Sequence, residues 1–410
     1  MDSREERGLQ IANSRRLRQN RSGQWLVPSQ SGFGDYSVNL ENIEQPVCTC
    51  PDFEIRNKPC KHIYAVAYFV VRERNQDGST TVTQSVTVTT RKTYPQNWTA
   101  YNAAQTNEQD KFQELLRDLC AGIPEPHIQR RGRPSISLAD AIFAAAFKVY
   151  SGFSGRRFMC DLRESHKRGL ISRVPHYNSI FNYLEDDGLT PILFDLIRQS
   201  SLPLAEVEVD FAVDSSGFST SRFTRWYDHK YGKMMEKADW VKAHIMCGVR
   251  TNIITAIEIG EKASNDSPFL PKLVKTTAES FTISEVSADK AYSGVKNIQT
   301  VAALGAKPFI PFRKDATVKP GGLWEKLFYY FKFRSDDFLL HYHKRSNVES
   351  TFSMMKRKFG DSLRSKTDTA MTNETLCKVL CHNLVVLIHE MHELGVEPIF
   401  WAETGIVGQS

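Results

Sequence analysis

The sequence predicts an α/β protein: a mixed sheet with flanking helices, preceded by a helical region and a small cysteine-bearing unit. Three observations predict it. Residues 205–395 alternate strand and helix signals, with early strands close enough to pair as hairpins and later ones spaced as β-α-β units. Residues 109–204 carry helical periodicity only. Residues 1–75 hold short strand-like pieces around a cluster of cysteine and histidine.

Taken in order, Gln24–Pro28 and Asp35–Leu40 are short strands on either side of a Gly/Ser turn, and Lys61–Arg74 is an apolar, helix-competent run. Residues 76–108 are a linker rich in Ser, Thr and Val, either an extended tether or a lone hairpin. Lys111–Ala121 is amphipathic, and Ser137 with Asp140 opens a helix over Leu138–Tyr150 by a capping pattern. Another helix runs from Tyr177 to Leu184. Short helices in this arrangement suit a helix-turn-helix-like DNA-binding region, and equally a plain helical bundle. Just ahead of them stands Arg130-Arg131-Gly132-Arg133-Pro134, which resembles an AT-hook. Its arginines Arg131 and Arg133 suit a minor groove, or else form a basic linker.

Beyond residue 205, Glu206–Val213 is a strand, and Trp240–Gly260 holds two strands around a turn at Thr251-Asn252. Ser267–Ala278 is a helix with Pro268 in its first turn, Thr282–Ala288 a strand, Asn297–Leu304 a helix and Lys307–Pro311 a strand. A long helical stretch follows, and residues 396–410 are a tail.

The 410 residues allow two or three domains, and 41% apolar residues suffice for a real core. No run of eighteen apolar residues marks a membrane span, and Met1–Gln10 is charged without the apolar stretch of a secretory signal. The expectation is a cytoplasmic, nucleoid-associated protein with no membrane partner. The formal charge is +6, but residues 306–366 alone carry 14 Lys/Arg against 6 Asp/Glu, so the cationic block exceeds the whole-chain excess and points to a polyanion such as nucleic acid. Of eight cysteines, Cys120, Cys160, Cys247, Cys377 and Cys381 read as small core hydrophobes.

The other three stand in Cys48-x-Cys50-x9-Cys60-x-His62. Three thiols and one imidazole complete a tetrahedral zinc set with no open position, so the expected Zn2+ is structural. The pattern resembles a SWIM-type zinc finger, with strands before it and a helix after His62. The resemblance implies contact with nucleic acid or protein, and a unit this small is expected to need its metal to fold.

In the long helical stretch, Tyr342, Arg345, Glu349 and Lys356 follow the pattern Y-x2-R-x3-E-x6-K. At 100° per residue they fall within an arc of roughly 60° on one helix. Arg345 and Glu349, at i,i+4, could simply form a surface ion pair. A carboxylate among cations and a phenol also suits metal-dependent phosphoryl transfer, which needs further carboxylates converging from other elements onto two divalent ions roughly 4 Å apart. Asp214, after the strand Val209–Val213, and Asp289, after Thr282–Ala288, both stand at strand C-termini before small residues. Asp210 competes with Asp214 on the same strand face, and Asp214 is preferred because it meets the turn containing Gly217. Lys242 and His244 lie within reach on the second strand but read as ordinary strand surface.

Asp214, Asp289 and Glu349, together with Tyr342, Arg345, Lys356 and the Asp289-Lys-Ala-Tyr292 context, closely resemble the DDE transposases of insertion sequences that carry the Y-R-E-K signature. Over residues 130–390 the resemblance implies an RNase H-like core. Only 59 residues separate Asp289 from Glu349, which leaves no room for a large insertion domain. The three carboxylates are then expected to bind Mg2+ or Mn2+. Arg345 and Lys356 would hold phosphates, and Tyr342 would contact a phosphate or a displaced base. The implied activity is end cleavage and strand transfer on double-stranded DNA, transposon ends and target, by a homodimer in the DNA complex. A zinc finger ahead of this core departs from the family's usual arrangement. The alternatives are a catalytically decayed or repurposed DNA-binding protein, and an interaction adaptor built on the finger.

Overall fold

The structure, a computed structural model, describes residues 3–14, 17–20, 22–30, 34–39, 46–56, 58–74, 80–84, 97–125, 136–220, 240–261, 264–313, 316–317 and 322–401. Arg131, Arg133 and residues 402–410 of the expected tail lie outside them. The chain forms two compact units, Met1–Pro95 and Gln96–Ser410.

In the first unit, helix α1 (Ser3–Ser14) precedes a four-stranded antiparallel sheet in the order β1-β2-β3-β4: Arg18–Gln19, Trp25–Pro28, Asp35–Asn39 and Val47–Cys48. Trp25 and Val27 alternate inward and Val38 pairs with Trp25, so one face of the sheet is apolar. Helices α2 (Pro51–Arg56) and α3 (Lys61–Phe69) follow. Gly8 lets α1 lie directly on α3, since a Cβ there would stand 2.5 Å from that of Tyr64. The run expected to stay helical to Arg74 turns to strand at Val70, where the β-branched pair Val70-Val71 opens a five-residue strand. Strand β5 (Val70–Arg74) pairs with β6 (Thr80–Gln84), so the start of the Ser/Thr-rich stretch forms the hairpin alternative.

The second unit opens with six helices: α4 (Trp98–Thr106), α5 (Glu108–Ala121), α6 (Leu138–Ser151), α7 (Gly155–Lys167), α8 (Tyr177–Leu184) and α9 (Leu189–Ser201). Ser137 caps α6 by accepting from the Asp140 amide at 3.1 Å, while the Asp140 carboxylate takes the amide and hydroxyl of Ser172. Helix α4 lies inside the stretch read as linker. Cys160 is exposed on α7 and is no core residue; the apolar stripe of that helix runs through Phe158 and Leu162 instead.

The sheet follows: β7 (Asp210–Ser219), β8 (Trp240–Gly248), β9 (Ile254–Gly260), β10 (Glu285–Ala288) and β11 (Lys307–Phe309), in the order β11-β10-β7-β8-β9. Strands β7, β8 and β9 are antiparallel neighbours, and β10 and β11 join parallel to β7. Asn252, left-handed at φ 65°, makes the β8–β9 turn where the sequence placed it. Helices α10 (Leu270–Ala278) and α11 (Val295–Ala303) supply the parallel crossovers. Then come α12 (Gly322–Phe333), α13 (Ser335–Tyr342), α14 (Ser346–Phe359) and the 26-residue α15 (Asp368–Glu393). This is the RNase H-like mixed sheet with flanking helices that the sequence predicts.

One core runs from the early helices through α14 and α15 onto the sheet face that contains Ala212, Ala243 and Ile245. The other face, with Phe211, Val213 and Met246, packs on α10 and α11. Helix α15 is buried almost all round, and Asn373, Glu374, Thr375, Lys378, His382 and Asn383 are hydrogen-bonded. Asn383 donates to the Ile254 carbonyl and accepts from its amide at 2.8 and 2.9 Å, and also donates to Ser200 on α9, so it ties α9 to the edge strand β9. No helix among the described residues is long and apolar enough to cross a membrane.

Candidate active site and metal centre

The finger is built by local geometry. Cys48 ends β4, Cys50 precedes α2, and Cys60 and His62 open α3. All four are buried, and their ligand atoms lie within 4.8 Å of one another. The Nδ1 of His62 stands 3.9 Å from the Cys48 sulfur and 3.8 Å from that of Cys60. Tetrahedral zinc with ligand bonds of about 2.0–2.3 Å sets ligand pairs roughly 3.5–3.8 Å apart, so the set fits the ion. A hydrogen bond from Cys48 holds Cys60 low, to about 4, and the same contact together with burial pushes Cys48 up.

The second centre is built by strand register. Ala288 of β10 pairs with Val213 of β7, so the next two positions along this parallel ladder are Asp289 and Asp214, side by side. Asp214 does not end its strand. β7 continues to Ser219 because β8 goes on pairing with it as far as Trp240, and only the parallel neighbour stops. Asp289 caps a short turn and takes the Lys290 amide at 2.7 Å.

The β7 face carrying Asp210, Asp214, Ser216 and Phe218 meets the segment around Glu349. The expected single helix is two. A 3-10 turn, His343–Arg345, separates α13, which ends at Tyr342, from α14, which carries Glu349 and Lys356. From that turn Arg345 gives one guanidinium nitrogen to Asp214 at 2.8 Å and another to Glu349, with its carbon 5.9 Å from the Tyr342 ring centre. The i,i+4 ion pair therefore exists, and it is also the bridge between two of the carboxylates. Asp214 and Arg345 are sheltered, with side chains 22% and 19% exposed, whereas Glu349 is open at 56%. Burial raises the Asp214 carboxyl above the usual range. The Ser215 amide and Arg345 oppose that rise, and the like charges of Asp289 and Glu349 add to it. Lys356, lowered by burial, points its ammonium at the Ser216 hydroxyl, 2.6 Å away, and at the ring of Phe218.

Asp210 is engaged elsewhere. Lys344 bridges it to Glu285 at 2.7 Å each, and Glu285 also takes His341 at 2.8 Å. Four residues along a strand put that cluster roughly 13 Å from Asp214.

Behind Asp214, on the opposite face, lies a polar group the sequence did not assemble. Ser215 donates to Asp266 at 3.1 Å, and Lys242 pairs with the same carboxylate at 2.5 Å. His244 is fully buried on β8 and stacks on Phe269; burial pulls it down to about 4. Lys242 and His244 are thus part of the backing of Asp214 and no ordinary strand surface. Tyr292, three residues after Asp289, is fully buried beside them. The D-x-x-Y spacing was the available signal for Tyr292, whereas Asp266, inside a turn, offered none.

Comparison with known proteins gives two family matches. Residues 206–384 match the transposase DDE domain, and residues 36–70 match the SWIM zinc finger. Among solved structures, one described as a piggyBac transposase synaptic complex with hairpin DNA is similar over 74% of this chain and 77% of that one, at 11% identity and a TM-score of 0.35. No curated protein matches the chain. The C-terminal unit thus carries a transposase DDE domain and the N-terminal unit a SWIM finger whose Cys3His set supports zinc. A DDE domain further suggests a divalent ion at its carboxylates.

Proposed function

From a DDE domain and a SWIM finger in one chain, we propose a DNA transposase that cleaves the ends of its element and joins them to target DNA. The observation that carries this reading is the register that sets Asp214 beside Asp289, with Glu349 linked to Asp214 across α14 through Arg345. Their hard oxygen donors suit Mg2+ or Mn2+, and Arg345 occupies the gap as a resident cation. Divalent ions held by these carboxylates would supply an activated water or 3′-hydroxyl and stabilise the leaving oxygen.

The chain's own residues do the rest. Arg345, released from the carboxylates, offers a planar fork to a phosphate. Lys356 is held by a hydroxyl and a ring, with no carboxylate among the described residues in hydrogen-bonding reach, so its charge is available to the strand backbone. Tyr342, beside Arg345, offers a ring or hydroxyl to the same strand. The finger, the helices α4–α9 and the basic Arg131–Arg133 segment would bind DNA around the cut. Two copies would hold the two ends, and the protein would work at the nucleoid.

The test is cleavage of a duplex carrying the element's terminal sequence in Mg2+. Wild type cuts, while Glu349→Gln binds the duplex with unchanged affinity and does not cut. Cutting by Glu349→Gln at the wild-type rate removes Glu349 from the site.

A further inference from the structure

Away from the carboxylates, a cavity of about 310 Å³ opens between α6, the start of α7 and the far end of α14. Phe153, Phe181 and Phe359 give it aromatic walls, and Lys148, Arg364 and Lys378 line it with cations. Lys148 is 7% exposed, yet its ammonium makes no hydrogen bond or ion pair with the described residues. Burial and the charge of Arg364 pull it down to about 8, so it still carries its proton at pH 7. The one carboxylate present, Glu374, is taken up by the amides of Arg364, at 2.9 and 3.1 Å, and Ser365, at 2.8 Å. Lys378 is spent on the carbonyls of Gly360 and Ser362 at 2.9 Å each. Arg364 gives one nitrogen to the Phe153 carbonyl at 3.1 Å.

The thirteen-residue helix α7 also begins here, and Ser154 makes no side-chain cap, so its first amides are left without that partner. Gly155 lets the Phe181 ring lie close over this helix start, since a Cβ there would stand 2.8 Å from the ring. A buried unpaired ammonium, an exposed guanidinium and open helix amides together describe a receptor for a phosphoanion. The aromatic rings beside them describe a stacking platform.

We propose that this cavity binds a single phosphate-bearing nucleotide, with the phosphate on Lys148, Arg364 and the α7 amides and the base against Phe153 and Phe181. The volume admits one nucleotide and no duplex. Phe359 lies ten residues beyond Glu349 on the same helix, roughly 15 Å along it, with Lys356 between. On the transposase reading, the nucleotide would therefore belong to a DNA strand that leaves the cut past Lys356. A free nucleotide would satisfy the same chemistry.

Calorimetric titration of the full chain with AMP, the 5′-phosphorylated dinucleotide pTpT and inorganic phosphate tests the site. At least one of AMP and pTpT is expected to bind, with phosphate alone roughly tenfold weaker or more. Lys148→Met should weaken binding by roughly tenfold or more, and Arg364→Gln by several-fold. Preference for pTpT assigns the site to DNA, and preference for AMP assigns it to a free nucleotide. No binding by any probe, or wild-type affinity in both variants, overturns the site. Arg364 is exposed, so Arg364→Gln keeps the test valid should Lys148→Met fold poorly. Glu349→Gln should bind the probes unchanged. A wild type that binds them and cleaves no DNA sinks the transposase reading while leaving this site standing.

Discussion

The two ligand sets proposed for this chain stand in opposite states of preparation. In the finger, three sulfurs and a nitrogen are buried and drawn within 4.8 Å of one another. In the C-terminal unit, Arg345 binds Asp214 and Glu349 and holds their charge in check. The first set can do nothing with an ion except be held together by it. The second, on the proposed reading, would exchange one cation for others, so that an arginine released from the carboxylates becomes available to the substrate. A structural site closes on its ion, whereas a reaction site must keep its ligands stable without one.

The largest effects fall on the ligands themselves. Asp289→Asn or Glu349→Gln should lower end cleavage by roughly 10³-fold or more, as expected for loss of an ion worth several kcal/mol to the transition state. Gel-based cleavage rates measure this. Cleavage within tenfold of wild type for either variant would break the equivalence of the three carboxylates. In the finger, Cys60→Ser or a zinc chelator should unfold the N-terminal unit, because metal binding free energy there is folding free energy. Limited proteolysis should then digest residues 1–95 and leave the Gln96–Ser410 unit resistant. Equal protection with and without metal would make the set a bystander.

Arg345→Met tests the exchange directly. Removing the internal cation should tighten divalent-ion binding by several-fold, of order 1 kcal/mol, while cleavage falls by roughly 10²-fold for want of the phosphate contact. The proton responds with a known sign. Burial already raises Asp214, and Arg345 is one of the two groups opposing that rise. Without it the carboxyl binds its proton more tightly, and the acidic limb of the cleavage profile moves to higher pH. Weaker metal binding in this variant would mean that Arg345 organises the carboxylates and does not compete for them.

Legibility followed the same division. Cys48, Cys50, Cys60 and His62 are near neighbours in sequence, so spacing alone assembled them. The carboxylates come from two strands and a helix, and chain order named them while missing how they meet. Asp214 looked like a strand end because only its parallel neighbour ends there; the antiparallel pairing that carries β7 to Ser219 cannot be read from one strand. The stripe from Tyr342 to Lys356 was angularly sound, yet a 3-10 turn breaks it, and that turn is what lets Arg345 reach Asp214. Lys242 and His244 were seen near the site but read as strand surface, and Asp266 was missed, because their meeting depends on a turn packing behind the sheet. Of the six helices from Trp98 to Ser201, α5, α6 and α8 were legible from periodicity and caps, whereas α4 fell in the stretch read as linker. Their shared core with α15 was not legible, since it rests on contacts between residues nearly 200 positions apart.

The smallest effect supplies the control that Asp214 lacks, a buried carboxylate with no arginine paired to it. Glu390 on α15 is 9% exposed, and burial, followed by the charges of Glu393 and Glu208, raises it to about 7. A carboxyl whose folded value lies above its unfolded one favours the fold while protonated. That contribution is complete below the unfolded value near 4.5 and is lost as pH rises through about 7. Glu390→Gln should remove the loss, stabilising the unit above pH 7 by roughly 1–3 kcal/mol and raising Tm by a few degrees at pH 8, with little change at pH 4.5. Thermal melts across that range measure it. If wild type and variant keep a constant gap at every pH, the Glu390 carboxyl titrates alike in the folded and unfolded chain. Burial alone would then not raise a carboxyl in this core, and the raised Asp214 would owe its shift to Asp289 and Glu349.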